Sequence, residues 1–279
     1  MNYLPEQKIF ELEALARQLR IDSLKMIYKR QAGHPGGSLS AAEIISVLFF
    51  HRLRLDPTNP GWEDRDRFLL SKGHASAILY AALAKRGFFP EADLERWGEL
   101  DCHLQGHPDR VKTVGVEMSA GPLGHGLAIG AGLAMAARKQ NKKYHTYVML
   151  GDGEVQAGVV WEGANMAAKY QLSNLTAILD YNDVQLDGAV HEIMPLEPLV
   201  DRWKAFNWHV LEINGHNIRQ IAEAFDLAAE VHNRPSIIIA HTTKGKGVSY
   251  MENQSGWHGA VPKPELFEQA LAELQKEEK

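Results

Sequence analysis

The stretch Gly151–Gly188, GDGEVQAGVVWEGANMAAKYQLSNLTAILDYNDVQLDG, decides the fold. The apolar run Tyr147-Val148-Met149-Leu150 just ahead of it reads as a buried strand, and Leu175–Leu179 within it reads as a second. Between them Val159–Tyr170 carries the spacing of an amphipathic helix. Each strand of this strand–helix–strand unit ends on an oxygen-bearing side chain, Asp152 after the first and Asn182 after the second. Parallel sheets bind ligands at their carboxyl edge. Asp152 and Asn182 offer hard oxygen donors, and the glycines beside Asp152 allow close approach of backbone to a phosphate. The pattern points to a magnesium–diphosphate site, although GDG alone is also what a tight turn between strand and helix looks like.

Outward from this unit, further strand candidates are Arg67–Leu70, Val210–Ile213 and Ile237–Ala240, with helices expected at about 75–86, 123–140, 159–170 and 217–232. Strands alternating with helices predict an α/β fold, a parallel sheet flanked by helices on both faces with right-handed crossovers. Near-continuous runs such as Ser236-Ile237-Ile238-Ile239 suit strands buried on both sides. The first sixty residues read as helical, with Ile9, Leu12, Leu15 and Leu19 on one face of residues 7–30 and Ser40 capping a second helix to about Leu53. The absence of repeats and low-complexity linkers predicts one domain over 1–279. Polar residues recur just past five strand ends: Ser71-Lys72-Gly73-His74, Gly151-Asp152, Asn182, Asn214-Gly215-His216 and His241-Thr242-Thr243. A purely structural sheet has no need of this, so that edge is read as a binding edge.

The chain has 279 residues, 45% apolar and 23% charged, which fits a globular protein with a substantial core. Its net charge of −5 gives no reason to expect nucleic acid or an anionic membrane as partner. Cys102 is the single cysteine, which rules out an intrachain disulfide and favours a reducing, cytoplasmic setting. Ser119–Ala137 has the length of a membrane span, but it is built from Gly and Ala and contains His125, so a buried helix is expected instead. Gln275–Lys279 reads as a solvated helix end or tail, and Trp62, Trp97, Trp161, Trp203 and Trp208 as core or interface fillers.

Three Gly-His pairs in separate loops, Gly33-His34, Gly73-His74 and Gly106-His107, extend the picture. Imidazole both donates and accepts near neutral pH, and the adjacent glycine removes bulk where a ligand approaches. Other motifs carry less. GDGEVQ has Gln156 where a dinucleotide fingerprint needs a third glycine. Thr243–Gly247 lacks the spacing of a P-loop, and Cys102-His103 with His107 lacks a fourth zinc ligand nearby. Gly126-x-x-x-Gly130 reads as close helix packing, with an oligomer contact as second reading.

The GDG triplet followed thirty positions later by Asn182 resembles the signature of thiamine-diphosphate enzymes. The segments AGHPGGSLS, DRDRFLLSKGHAS, LQGHPDR, GVEMSAGPLGHG and KGKGVSYMEN…WHGAVP follow transketolase order from about residue 30 to 262. The resemblance implies a thiamine-diphosphate-binding, diphosphate-domain fold, with Mg2+ held by Asp152, Asn182 and the carbonyl of Val184. It also implies that His34, His107 and His258 contact substrate and that His74 and His258 lie by the diphosphate. Gly121, Pro122 and Leu123 would meet the aminopyrimidine, and the Gly153 N–H a phosphate oxygen. Ala157 stands where many members carry an interface glutamate, Glu162 matches a family glutamate, His125 replaces a more usual Gln, and Ser71-Lys72 resembles split subunits.

Full-length members continue into a pyrimidine-binding domain and a C-terminal domain. The resemblance is therefore to the N-terminal subunit of a split transketolase. It implies a partner, a C-terminal transketolase subunit, in a heterotetramer acting on sugar phosphates. The glutamate that activates the cofactor is expected on that partner, so the chain alone is expected to hold magnesium and diphosphate weakly and not to turn over. Two alternatives stand beside this: a ketol transferase or synthase subunit for an unusual sugar, and a non-catalytic thiamine-diphosphate-binding module.

Overall fold

The computed structural model describes residues 4–276. Of the tail read at 275–279, residues 277–279 lie outside the described residues. Five strands form one sheet: β1 (Arg67–Leu70), β2 (Thr146–Gly151), β3 (Leu175–Tyr181), β4 (His209–Asn214) and β5 (Ser236–His241). All pairings are parallel and the order is β1-β2-β3-β5-β4. Every strand expected from the apolar runs is present, and all but β1 are extended by one or two residues at their ends. Most of those extra residues are polar or glycine, so hydrophobicity did not mark them.

The helices are α1 (Glu6–Arg30), α2 (Pro35–Ser40), α3 (Ala42–Val47), α4 (Ser76–Arg86), α5 (His125–Lys139), α6 (Gly158–Lys169), α7 (Val190–Ile193), α8 (Leu199–Ala205), α9 (Ile218–Ala229) and α10 (Pro264–Gln275). Alternate strand residues feed opposite faces. Phe68, Leu70, Tyr147, Met149, Ile178 and Ile238 pack with α1, α3, α4 and α9, whereas Leu69, Val148, Leu150, Leu179, Ile237 and Ile239 pack with α5, α6 and α8. From β2 through β3 to β4 the chain steps one way and carries α6 and α8 on one face. The return from β4 to β5 reverses direction, and α9 accordingly sits on the other face, as right-handed crossovers require. α10 closes a third cluster against α1, with Tyr28 and Phe267 stacked at 3.7 Å.

α5, the Gly/Ala-rich segment, is 15 residues long, and no helix among the described residues is long and apolar enough to cross a membrane. Its Gly126-x-x-x-Gly130 pair faces the sheet. A Cβ on Gly126 would fall 2.3 Å from Ser71 Oγ, and one on Gly130 2.4 Å from Val148 Cγ2. Close helix packing is thus what the motif serves here. Trp97, Trp203 and Trp208 are buried core, while Trp62 and Trp161 are half-buried.

The reading of Ser40 as a helix cap is corrected. Helix begins five residues earlier at Pro35, where proline's fixed φ suits the first turn, and α3 runs on into a wider π-type turn at Leu48–Arg52. The Ser40 hydroxyl instead donates to Asp180 Oδ2 at 2.7 Å. Gly36 is crowded in this short helix, whereas Gly37 contributes a backbone contact. A Cβ on Gly36 would meet Lys244 Cε at 2.9 Å, and the Gly37 carbonyl accepts from Lys72 Nζ.

Candidate functional site

The carboxyl ends of β1, β2, β3 and β5 converge with the His34, His107, Gly121 and His258 loops on a cavity of about 320 Å3. Asp152 joins two of the strand ends. Its Oδ2 accepts the N–H groups of Asn182 (3.0 Å) and Asp183 (2.7 Å), and its Oδ1 accepts that of Gly153 (2.7 Å). The Gly153 N–H expected to face a phosphate is therefore taken up within the turn, because Asp152 caps the short 3-10 segment Gly153–Gln156. Asn182 Oδ1 accepts from the Val184 N–H at 3.2 Å, and the Val184 carbonyl accepts from Lys244 Nζ at 2.5 Å.

Beneath this lies fully buried Asp180, which accepts from Lys72 Nζ (2.5 Å), the Ser40 and Thr242 hydroxyls and Asn182 Nδ2. Burial works against its ionisation, but the Lys72 ammonium and these hydrogen bonds outweigh burial and hold the carboxyl below its usual range. Asp152 behaves oppositely: burial, and then the charge of Asp180, push its carboxyl well above the usual range. Burial likewise lowers Lys244, with Asp152 and Asp180 opposing.

Asp152, Asn182 Oδ1 and the Val184 carbonyl form an all-oxygen set of the kind Mg2+ takes. A cation, Lys244 Nζ, already stands on one member of that set, and Asp152 lacks enough positive charge to ionise readily. A divalent ion would meet both conditions, so the residues fit it.

His34, His74 and His258 form a triangle with ring centroids 5.1, 5.2 and 5.3 Å apart, and His107 lines the same cavity. Lys244 Nζ lies 2.8 Å from His258 Nδ1. An ammonium only donates, so Nδ1 accepts and the proton of neutral His258 resides on Nε2. Burial, followed by Lys72, depresses His74 to about 2, and burial, followed by Lys244, depresses His258 to about 4. His34 is lowered by burial and then by His107. Rings held neutral can each donate one hydrogen bond and accept another.

Ten of the eleven predicted site residues line this cavity: His34, His74, His107, His258, Gly121, Leu123, Asp152, Gly153, Asn182 and Val184. Pro122 does not, and it is exposed. His103 turns away from His107 to pair with Asp93 at 3.1 Å, so the Cys102-His103-His107 group does not converge. Of the departures, Ala157 is half-buried and precedes α6, while His125 is exposed, as is Glu162, which matches the family. Sequence reasoning missed the roles of Lys72, Glu154, Asp180, Gln185 and Lys244, which line the cavity too. Gln185 carries a buried Nε2 with no hydrogen-bond partner.

The remaining support comes from behind the site. Arg20 donates to Glu43 Oε2 at 2.6 Å, and His216 Nδ1 meets the same oxygen at 2.9 Å. His216 Nε2 accepts from the Thr243 N–H at 2.8 Å, so its proton sits on Nδ1 and donates to Glu43. Thr243 immediately precedes Lys244, and the relay ties α1 and α3 to the loop that carries that lysine.

Comparison with known proteins agrees with this geometry. Residues 12–276 match the family model for the transketolase thiamine diphosphate-binding domain. The chain is 42% identical over 274 residues to a 6-deoxy-6-sulfo-D-fructose transketolase subunit of a Clostridium species, covering 98% of this chain and 99% of that protein. It is 42% identical to one of the subunits of the apulose-4-phosphate transketolase of Phocaeicola vulgatus, covering 94% and 93%. The crystal structure of transketolase from Campylobacter jejuni superposes with a TM-score of 0.90 at 36% identity, over 95% of this chain and 43% of that one.

Proposed function

The chain belongs to the transketolase family through its thiamine diphosphate-binding domain, and from that premise we propose that it is the diphosphate-binding component of a transferase that moves a two-carbon ketol unit from a ketose to an aldose. The observation that carries the reading is that Asp152, Asn182 and the Val184 carbonyl, which accepts from Lys244 Nζ, line one cavity with a cluster of imidazoles. Asp152, Asn182 and Val184 would hold Mg2+, with the diphosphate beside His74, His258 and Gly153. When bound, thiamine diphosphate supplies the nucleophilic thiazolium carbon and the electron sink that this chemistry needs.

The chain's own residues bind, orient and handle protons. Gly121 and Leu123 form the wall expected to meet the aminopyrimidine, and His34, His107 and His258 are placed to orient sugar hydroxyls. Burial lowers the proton affinity of His34 and, followed by Lys244, that of His258, so each neutral ring can donate one hydrogen bond to a sugar hydroxyl and accept another.

The relatives named as subunits are matched over nearly their full length, which supports a division of labour. A second polypeptide would supply the pyrimidine-binding and C-terminal domains and the activating carboxylate, within a heterotetramer. Because those two relatives are named for a sulfonated ketose and for apulose 4-phosphate, the substrate we infer is a ketose with an anionic end, including sugars outside ordinary metabolism.

The test is calorimetric titration of thiamine diphosphate with Mg2+ into the chain, alone and co-expressed with a C-terminal transketolase subunit. Heat that needs magnesium, disappears in Asp152→Ala and grows tighter with the partner is expected. Absence of binding in both preparations would sink the reading.

A further inference from the structure

Glu154, a residue outside the motif that flagged the site, is where three separate loops meet. It is 4% exposed and lies in the turn just after Asp152. Its Oε1 accepts the Gly124 N–H at 2.7 Å and the Ser71 hydroxyl, while its Oε2 accepts the Gly151 N–H at 3.0 Å. The Ser71 oxygen in turn accepts the Gly126 N–H at 3.1 Å. Gly124 and Gly126 begin α5, where backbone N–H groups have no partner within the helix and favour a negative charge.

We propose that Glu154 is a positioning residue that sets the Gly121–Leu123 loop at a fixed distance from the Asp152 turn, so that this chain's own contacts to the aminopyrimidine and to the diphosphate stay in register; this rests on the cofactor reading above. Thiamine diphosphate carries an aminopyrimidine at one end and a diphosphate at the other. Its affinity depends on the spacing of two protein surfaces, not only on the quality of each. The glycines fit this role. Gly124 has φ +87°, which side-chain-bearing residues rarely adopt, and a Cβ on Gly126 would collide with Ser71. The carboxylate and hydroxyl can therefore reach the helix start directly.

Glu154→Gln keeps the shape but turns an NH2 group toward one of the N–H donors, and Ser71→Ala removes the second anchor while leaving Glu154 intact. Both are compared with wild type in the chain co-expressed with its partner subunit, by calorimetry with Mg2+ and either thiamine diphosphate or inorganic pyrophosphate, and by hydrogen exchange. The expected result is an affinity for thiamine diphosphate weaker by about tenfold or more, a change of under about threefold for pyrophosphate, and faster exchange confined to residues 119–127. Equal weakening of both ligands, or unaltered affinity with unaltered exchange at 119–127, overturns the proposal. Wild-type protein that binds neither ligand sinks the cofactor reading and this functional role with it, whereas variants that bind like wild type sink the positioning role alone.

Discussion

Replacing Glu43 by Gln perturbs the most heavily buried ion pair outside the cavity among the described residues. Glu43 and Arg20 are 7% and 6% exposed, and their contact at 2.6 Å is completed by His216. Burial opposes ionisation of Glu43, but Arg20 and the hydrogen bonds from His216 and Arg20 prevail and hold it at about 2, against an ordinary 4.5. At about 1.4 kcal/mol per pH unit, that gap is worth about 3 kcal/mol of folding stability. Removing the carboxylate also leaves Arg20 buried without its counter-charge, a loss of about 3–5 kcal/mol in comparable sites. The pH dependence has a definite sign. Glu43 is more acidic folded than unfolded, so its contribution is complete above 4.5 and is lost as pH falls through about 2. By about pH 3 roughly 2 of the 3 kcal/mol should be gone. Urea unfolding of wild type and Glu43→Gln at pH 7 and at about pH 3 reads this directly, because titration of all other carboxylates cancels in the difference. A deficit below about 1 kcal/mol at pH 7, or one that does not shrink in acid, would refute the reasoning.

Two glycines of α5 should respond in opposite ways. Gly130→Ala forces a Cβ to within 2.4 Å of Val148 and should cost about 1–3 kcal/mol, whereas Gly132→Ala, with no atom within 4 Å, should gain about 0.5–1 kcal/mol from helix propensity, both read by thermal melts. If the GxxxG motif served association instead of sheet packing, Gly130→Ala would alter oligomeric state and leave the melt unchanged. For the histidine cluster, nitrogen-detected NMR between about pH 5.5 and 8 should show His74 and His258 neutral throughout, with the His258 proton on Nε2. A titration midpoint near 6.5 for either ring would contradict their burial against Lys72 and Lys244.

Much of the sheet could be read from the sequence because most strands are near-continuous apolar runs, β4 with Glu212 at its centre being the exception, and the two faces follow from simple alternation once the sheet is parallel. The metal-ligand candidates were readable for a similar reason: Asp152 and Asn182 belong to one strand–helix–strand unit whose geometry is local. The Pro35 helix start was not readable, because glycines at its second and third positions oppose helix by propensity. Gly36 leaves room for Lys244 and the Gly37 carbonyl accepts from Lys72, and both lysines lie far away in the chain.

Four residues whose roles went unread, Lys72, Glu154, Asp180 and Lys244, share one property: each is a polar residue near a strand end whose partner lies on a different element. Lys72 and Asp180 are separated by 108 positions, and Ser40 and Asp180 by 140. No periodicity reports such pairs, but desolvation does. A lysine at the end of a strand buried on both faces must find a counter-charge at the same edge, because an unpaired buried ammonium is too costly to keep. Asp180, closing the apolar run Leu175–Leu179 on the same carboxyl edge, answers that demand. The same rule applied to Glu154 asks which donors meet a buried carboxylate after a glycine turn. The backbone amides of Gly124 and Gly151 supply the answer, and with it the reason that a helix start, a strand end and the Asp152 turn are held together at one point.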